Sequence, residues 1–584
     1  SIKAIGSIKA IGSIKAIASS GGTNDEAITA YLPTGGDYYI LVYSADGASD
    51  DAQTYTLGVS LTTSALLEPT GANTAQPIAG LNTCVFPQPN KTTLTLYNST
   101  RLFQRYAGQS SEVSLLISKL TGGAYSTAGN SAAFDLNCAL LPADKSRLDT
   151  LYANWDAKPD QPLYANEVAE QIWHALDYAI TNYYTATQAI VLVGGDDLIP
   201  FYRVPDETTI ANEGDYYQEL GDGPSGVLAT NSPLRGSLFY HYVQSDNFYA
   251  DREPTPWRGR ALYIPDLAIG RLVESPVDIN HYLDSYLATN GYTIAGDLAH
   301  PAAPAHYAAT FTSGYDFLTD QAKAITGRFQ QYGFQPNGSF VLTYTNDALI
   351  NDNWDVNNLA GQWFFPNQLP QLTGDYTGTH TSFQLMSING HFSHYEAIPA
   401  NAANGTLLAE RLLTPTVKLG SPAQAYFRYD PRYGNSASLA FSVGCHSGLN
   451  VIANDIDANA GGKYRADFAE AVLKQGGNWI GNTGYGYGDS DLIAYSERLS
   501  LLFADAIGRD LPVGPGYQGA PLGDSLARAK RQYVKNAGPG GFSVYDEKVI
   551  AEWTLYGLPF IRVRVPNPTR PAFGGGAAFD PQPV

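Results

Sequence analysis

The chain is poor in sulfur, with three cysteines and a single methionine among its 584 residues. Three cysteines do not by themselves fix the redox compartment. Cys84 and Cys138 lie in the same N-terminal region, so we expect them to form a disulfide. Cys445 would then remain as a free thiol.

Basic residues are also scarce: 35 Lys and Arg face 55 Asp and Glu, which gives a net charge of -20 and a pI near 4.8. This charge argues against nucleic acids and anionic membranes as partners. The sequence contains no run of 18 apolar residues, so we predict no transmembrane helix. The acidic balance, the few lysines and the 40 tyrosines favour a secreted or cell-surface protein.

Residues 1–18 repeat the hexapeptide SIKAIG almost perfectly. Three such units are too few for a stable solenoid, so we set 1–22 apart as a repeat of uncertain origin. Residues 23–66 alternate apolar and polar side chains around a Pro-Thr-Gly-Gly turn, which predicts strands. This stretch resembles part of the bacterial pre-peptidase C-terminal β-sandwich, so we expect the chain to be a piece of a longer, multidomain extracellular protein.

From residue 67 to about 566 strand and helix patterns alternate. AIVLVGG (189–195) and NWIGNTG (478–484) read as buried strands, whereas EVAEQIWHALDYAI (167–180) and DFAEAVLKQ (467–475) have helical spacing. This alternation predicts an α/β fold with a mostly parallel sheet flanked by helices. We place an N-terminal α/β subdomain at 67–184, the main domain at 185–566 and a Pro/Gly-rich tail at 567–584.

Two apolar runs of the main domain end in residues that can do chemistry. FQLMSINGH ends at His391, and ASLAFSVGC ends at Cys445. Functional groups of parallel sheets lie just beyond the carboxyl ends of the strands, so a thiol and an imidazole delivered to one edge form a nucleophile and its base. A nearby imidazole also favours the reactive thiolate. The pattern indicates a cysteine hydrolase.

Three alternatives use neighbouring residues. His394 and His446 compete with His391 as the base. His391, His394 and Glu396 also suggest a metal site, although their spacing differs from the H-E-x-x-H signature. The GYGYG segment (484–488) lacks the G-x-G-x-x-G spacing of a dinucleotide loop, so we interpret it as a mobile aromatic loop beside the site, with Tyr485 and Tyr487 as substrate-binding candidates.

Seven segments, in their order along the chain, resemble motifs of the gingipain-type cysteine peptidases, a secreted family related to the caspases. SINGH and SVGC match the strand ends that carry the base and the nucleophile in that family. The other matching segments are VLVGGDDLIPFYRVP (191–205), QSDNFYA (244–250), LAIGRL (267–272), DFAEAVL (467–473) and WTLYGLPFIRVRV (553–565). The resemblance implies a caspase-like catalytic domain, a bacterial or archaeal source and a protein or peptide substrate.

By this resemblance Cys445 attacks the peptide carbonyl and His391 protonates the leaving amine. The backbone N–H groups of Cys445 and Phe392 would form the oxyanion hole, although the family has Gly where this chain has Phe392. Asp246 matches a position that shapes the primary specificity pocket. Asp196 or Asp197, at a strand exit, is a candidate for orienting the histidine.

The resemblance implies no cofactor for catalysis, but it admits structural calcium. The candidate calcium ligands are acidic residues in Gly- or Asn-rich loops: Asp455, Asp457, Asp489 and Asp491. A different class of function also fits the sequence. Phe392 and the abundance of Tyr and Gly are compatible with a catalytically inactive surface, filament or adhesion protein that keeps the peptidase fold.

Overall fold

The computed structural model describes residues 4–10, 13–19, 38–44, 66–222, 226–289, 291–293, 308–336, 344–359, 385–413, 438–509, 519–537, 541–563 and 565. The predicted tail at 567–584 and most of the predicted β-sandwich at 23–66 lie outside these residues. Cys84 and Cys138 form the expected disulfide, and Cys445 is a free cysteine.

The strands, in chain order, are β1 (Ala4–Ala10), β2 (Ser13–Ser19), β3 (Tyr38–Ser44), β4 (Thr93–Tyr97), β5 (Ser131–Asp135), β6 (Ala189–Val193), β7 (Tyr202–Pro205), β8 (Tyr242–Ser245), β9 (Thr255–Trp257), β10 (Arg260–Leu262), β11 (Ala268–Leu272) and β12 (Ala308–Gly314). They continue with β13 (Gln335–Pro336), β14 (Tyr344–Ile350), β15 (Leu385–Ile388), β16 (His391–Ser393), β17 (Glu396–Ile398), β18 (Leu407–Leu408), β19 (Leu439–Phe441), β20 (Asn478–Asn482), β21 (Ala520–Pro521), β22 (Trp553–Tyr556) and β23 (Arg562–Val563).

The α-helices are α1 (Ser99–Arg105), α2 (Ser110–Thr121), α3 (Gly123–Ala128), α4 (Leu136–Ala139), α5 (Pro142–Asp156), α6 (Pro162–Asn182), α7 (Glu213–Leu220) and α8 (Pro233–Phe239). They continue with α9 (Asn247–Ala250), α10 (Pro276–Ala288), α11 (Thr319–Gln331), α12 (Glu410–Leu413), α13 (Phe468–Lys474), α14 (Tyr495–Ile507), α15 (Leu522–Ala537) and α16 (Val544–Glu552).

Eleven strands form one sheet in the order β13-β14-β12-β15-β19-β20-β22-β11-β6-β4-β5. In the described residues every neighbouring pair of this sheet is parallel except β20 with β22, which is antiparallel. The sheet therefore consists of two parallel halves that run in opposite directions. The predicted α/β fold with a mostly parallel sheet is confirmed.

Helices cover both faces of the sheet because its strands bury both sets of alternating side chains. In β6, Ile190 and Leu192 pack into a core with helices α5 and α6, whereas Val191 and Val193 pack into the core that contains residues of α2 and α10. The two strands of the predicted N-terminal subdomain, β4 and β5, belong to the same sheet as β6. Residues 67–184 thus extend the main sheet and do not build one of their own.

The elements predicted from apolar patterns are present. β6 and β20 lie in the two predicted strand segments, and α6 covers the predicted helix at 167–180. Helix α13 begins after Asp467, whose side chain accepts a hydrogen bond from the Glu470 N–H, and it ends just before Gly476, which has a φ of 79°. A capping carboxylate and a left-handed glycine are the expected start and stop signals.

The hexapeptide repeat is part of a small sheet. β1 pairs antiparallel with β2 and with β3, so two strands built from the repeat join β3, which lies in the segment 23–66 for which strands were predicted.

Candidate functional site

Neighbouring parallel strands deliver their following loops to one edge of the sheet. β14, β12, β15, β19 and β20 are adjacent and point the same way. The loops after these strands form the edge that we call the rim: residues 315–317, 351–354, 389–394, 442–446 and 483–489. The carboxyl edge of a parallel sheet is where ligands bind in open α/β folds.

His391 and Cys445 reach the rim from adjacent strands in matching register. Ser387 of β15 pairs with Phe441 of β19, and each functional residue follows its strand residue by four positions. The two chain segments touch, because a Cβ on Gly444 would lie 2.9 Å from the carbonyl oxygen of Gly390. The structure therefore brings together the two segments that the sequence selected.

Cys445 is half-buried, and its thiol donates a hydrogen bond to the carbonyl oxygen of Gly486 at 3.7 Å. Burial raises the pKa of this thiol to about 12, and the nearby carboxylates of Glu552 and Glu213 also raise it, against the opposing effects of Gly486 and Lys548. The sulfur is therefore a neutral thiol at pH 7. In the described part of the chain nothing accepts a hydrogen bond from the Cys445 N–H, so this donor is available to an incoming oxyanion.

His391 is the exposed imidazole of the rim. Its side chain is 45% exposed, and its ring packs edge-on against the rings of Tyr315 and Phe317 at centroid distances of 5.6 and 5.7 Å. Its backbone N–H donates to the Tyr315 hydroxyl at 3.2 Å. These contacts hold the imidazole at the mouth of the site while leaving it accessible.

Asp316 is the carboxylate beside this histidine. Its Oδ2 lies 3.8 Å from His391 Nε2, and its backbone has a φ of 53°, in the left-handed region. The Asp316 N–H donates to Asp352 Oδ1 at 3.0 Å, which supports that conformation. Sequence reasoning missed Asp316, although it follows the exit of an apolar strand, AATFTSG, by two residues.

The other two candidate bases are buried and committed elsewhere. His394 Nδ1 accepts from the Tyr216 hydroxyl at 2.6 Å and its Nε2 lies 2.9 Å from the Tyr464 carbonyl oxygen, while burial lowers its pKa to about 3. His446 Nε2 lies 2.9 Å from Glu213 Oε2, and its ring stacks on Tyr216. Of the three histidines only His391 faces solvent.

Asp197, the candidate for orienting the histidine, lies at the wrong edge of the sheet. It follows β6, which belongs to the half of the sheet that runs opposite to β15 and β19. Its Oδ2 pairs with Arg105 Nε at 2.7 Å. Asp196, its neighbour, forms a buried ion pair with Arg203. The predicted role for this pair of aspartates is wrong, because the two halves of the sheet present their carboxyl ends on opposite sides.

Asp246, the predicted pocket residue, is buried in an ion pair. Arg271 donates to its two carboxylate oxygens at 2.6 and 2.9 Å, and Arg271 is itself fully buried. The planar guanidinium also contacts the Gly194 and Ile199 carbonyl oxygens. Asp246 therefore fixes the core and does not present a charge to a substrate.

The GYGYG loop lies beside Cys445 through the Gly486 contact, but its tyrosines are tied down. The Tyr485 hydroxyl donates to Glu219 Oε1 at 2.6 Å, and the Tyr487 hydroxyl lies 2.8 Å from the Ala211 carbonyl oxygen. Both rings are half-buried. The two side chains therefore wall the rim, and each hydroxyl is held by an acceptor on or next to α7.

Phe392 packs into the hydrophobic core, at a position where the peptidase family that the sequence resembles has glycine. It lies in β16, which forms a hairpin with β17, and its ring packs against Phe468 and Trp479. A Cβ on Gly444 would come within 2.3 Å of this ring. Glycine before the cysteine thus makes room for the phenylalanine after the histidine.

No cluster of three or more metal-ligating side chains occurs in the described ranges. Of the proposed trio, His394 is buried between Tyr216 and Tyr464, and Glu396 accepts from Thr406. Three of the four candidate calcium ligands accept hydrogen bonds from backbone N–H groups: Asp455 from Leu234 and Ile452, Asp457 from Asn459, and Asp489 from Asp491 and Leu492.

Neither a known family model nor a curated protein matches the sequence. In the described residues no helix has the length and apolar character needed to cross a membrane. Two solved structures are similar in shape. The crystal structure of the Arg-specific cysteine proteinase gingipain R (RgpB) has a TM-score of 0.43 and 12% identity, covering 82% of this chain and 79% of its own. A complex of the Porphyromonas gingivalis RgpB pro- and mature domains has a TM-score of 0.41 and 12% identity, covering 81% and 80%. A likeness this distant transfers neither activity nor specificity.

Proposed function

We propose that this protein is a cysteine endopeptidase in which Cys445 is the nucleophile and His391 is the general base and acid. The observation that carries the proposal is the delivery of both residues to one edge by adjacent parallel strands in matching register. The exposed imidazole supports it, as does the Cys445 N–H, which has no acceptor among the residues that the structure describes.

In the proposed reaction the Cys445 sulfur attacks the peptide carbonyl carbon while His391 takes the thiol proton. The carbonyl oxygen becomes an oxyanion that accepts a hydrogen bond from the Cys445 N–H and, by the family resemblance, from that of Phe392. His391 then returns the proton to the amine nitrogen as the C–N bond breaks, which leaves a thioester. Water, deprotonated by His391, attacks this thioester, and the cleaved C–S bond restores the thiol and releases the acid.

The raised pKa of Cys445 decides how the sulfur would be activated. A thiol with a pKa near 12 does not form a stable thiolate–imidazolium pair in the free enzyme. Proton transfer to His391 must therefore accompany the attack on the carbonyl. Asp316, 3.8 Å from His391 Nε2, would stabilise the imidazolium formed in that step.

The raised pKa of Cys445 also favours a second candidate function, that of an inert scaffold with a peptidase-like fold. A neutral thiol that donates to the Gly486 carbonyl is also what we expect of a cysteine that serves only packing. The two functions differ in one measurable property, which is thiol-dependent hydrolysis.

The disulfide supports a site of action outside the cytosol. A bond between Cys84 and Cys138 persists in oxidising compartments such as the cell exterior and the bacterial periplasm. We therefore propose a secreted or cell-surface peptidase that acts on protein or peptide substrates.

A panel of short fluorogenic peptides, varied at the residue before the scissile bond, tests the activity. The proposal requires that Cys445→Ala and His391→Gln each lower kcat/KM at least a hundredfold. His174→Gln, which changes a half-buried imidazole on α6, serves as the matched control and should keep full activity. Cleavage by the Cys445→Ala protein at the wild-type rate would refute the mechanism, and a complete lack of cleavage by wild type across the panel would favour the inert scaffold.

A further inference from the structure

A network of buried charges lies directly behind Cys445. Lys548 of α16 donates to Asp206 Oδ2 and to Glu213 Oε1, at 2.7 Å in both cases. All three side chains are at most 3% exposed. The Asp206 carboxylate also accepts from the backbone N–H of Glu213 at 2.9 Å, so the start of α7 is held by the same network.

Glu213 connects this network to both chain segments that flank the thiol. Its Oε2 lies 2.9 Å from His446 Nε2, and His446 directly follows Cys445. Its Oε1 accepts from the Tyr485 N–H at 3.0 Å, and Tyr485 directly precedes Gly486, the residue that accepts from the thiol. One carboxylate thus holds the loop after β19 and the loop after β20.

The backbone at His446 explains why a clamp is needed there. His446 has a φ of 53°, which a non-glycine residue adopts at a cost, and such strain persists only where the surroundings fix it. The ring stacks on Tyr216 with centroids 3.5 Å apart, and the His446 N–H donates to the Gly484 carbonyl oxygen at 2.7 Å. Within this turn the Gly444 carbonyl oxygen, which shares a peptide plane with the Cys445 N–H, accepts from the Ser447 hydroxyl at 2.8 Å, so the turn sets the direction of the Cys445 N–H.

We propose that Glu213 is a positioning residue that acts through His446 and Tyr485 to fix the Cys445 N–H and the Gly486 carbonyl around the sulfur. This inference rests on the proposed role of Cys445 as nucleophile. Glu213 does not touch the substrate. The carboxylate keeps the oxyanion donor and the thiol in one fixed arrangement, so its loss should affect the transition state more than substrate binding.

The buried charges are also arranged to keep Glu213 ionised. Burial alone would raise the pKa of Glu213, but Lys548 and His446 outweigh it and lower the pKa to about 2. Among the described residues, the charged groups behind the thiol are Glu213 of α7, His446 of its own loop, and Lys548 and Glu552 of α16, while His391 stands on the solvent side of the rim. Among these, Glu213 contacts both loops, so it is the residue to change.

The test compares Glu213→Gln with Asp196→Asn. The control removes the charge of an equally buried carboxylate, paired with Arg203 at the opposite edge of the sheet. Steady-state kinetics gives kcat and KM, and the pH dependence of Cys445 alkylation by iodoacetamide reports the environment of the sulfur without requiring turnover. His446→Asn is the second variant, because Asn tolerates a positive φ but is too short to reach Glu213.

Glu213→Gln and His446→Asn should lower kcat at least tenfold with KM within twofold of wild type. Removing the Glu213 charge should also move the alkylation midpoint to lower pH, because that carboxylate raises the pKa of Cys445. Asp196→Asn should change neither quantity by more than twofold. Equal effects in all folded variants, or a Glu213→Gln protein with wild-type kcat and midpoint, would overturn the proposal. If wild type cleaves no peptide, the proposed function fails and His446→Asn decides, because it breaks the contact with Glu213 but keeps the carboxylate charge: an alkylation rate at fixed pH that differs from wild type in both His446→Asn and Glu213→Gln supports the clamp, and a wild-type rate in His446→Asn rejects it.

Discussion

Gly444 packs against Gly390 so closely that a Cβ on Gly444 would lie 2.9 Å from the Gly390 carbonyl oxygen. This contact joins the residue before Cys445 to the residue before His391. Such an approach is possible only because Gly444 carries no side chain. The spacing of the proposed nucleophile and base therefore depends on Gly444, which takes no part in the chemistry.

Gly444→Ala should disturb both stability and the site. The added Cβ would lie 2.3 Å from the Phe392 ring, and that ring is confined by Phe468 and Trp479. Overpacking of this kind costs roughly 1–3 kcal/mol in the free energy of unfolding, so urea denaturation should show a lower midpoint. The control is Gly461→Ala, whose Cβ would meet nothing closer than 3.7 Å. Equal midpoints for the two variants would contradict the contact.

Asp316→Asn tests whether the carboxylate near His391 stabilises a developing imidazolium. Asn tolerates the φ of 53° at this position, so the backbone should not change. Because both side chains are exposed, the effect should be modest, about three- to tenfold in kcat. Asp320→Asn, which changes an exposed carboxylate of α11 that lies 3.9 Å from Lys323, should leave kcat unaltered. A kcat for Asp316→Asn equal to that of wild type would exclude the role.

The sequence predicted the strand exits at His391 and Cys445 because each apolar run is bounded by Gly and ends in a polar residue. It could not predict the edge to which Asp197 belongs, since the antiparallel pairing of β20 with β22 leaves no local signal. Asp246 looked accessible in a polar segment, and only the fold brings Arg271 onto it. Asp316 and Glu213 went unnoticed because their partners come from distant parts of the chain.

The raised pKa of Cys445 predicts slow alkylation near neutral pH. With a pKa of about 12, the thiolate fraction at pH 8 is on the order of a thousandfold smaller than for a free cysteine of pKa about 8.5. Iodoacetamide labelling followed by intact mass should therefore be slow in the folded protein and rapid in urea, with Cys445 as the single labelled residue. The folded-state rate should continue to rise between pH 8.5 and 11, where that of a free thiol levels off. A plateau below pH 9 would show that the thiol is not shielded.

The same shift makes folding sensitive to alkaline pH. A thiol whose pKa is higher in the folded protein than in the unfolded chain contributes stability below the unfolded value of about 8.5. That contribution is lost as pH rises from about 8.5 toward 12. The free energy of unfolding of wild type, measured in urea, should therefore fall more steeply with pH over this range than that of Cys445→Ala. Buried tyrosines lower the stability of both proteins alike at alkaline pH, so the comparison isolates the thiol. A steeper fall for Cys445→Ala than for wild type would contradict the raised pKa.

The Cys84–Cys138 disulfide should stabilise the fold without affecting the site. It closes a loop with a sequence separation of 54 residues, for which the loop-entropy model gives about 4 kcal/mol. It joins the segment that precedes β4 to α4, which follows β5, the edge strand at the end of the sheet away from Cys445. Cys84→Ser with Cys138→Ser should therefore lower the urea midpoint in the absence of reductant, while kcat at low temperature stays within twofold of wild type. Reductant should lower the wild-type midpoint to that of the double variant and leave the variant unchanged. A large fall in kcat of the fully folded double variant would instead show that this end of the sheet influences the rim.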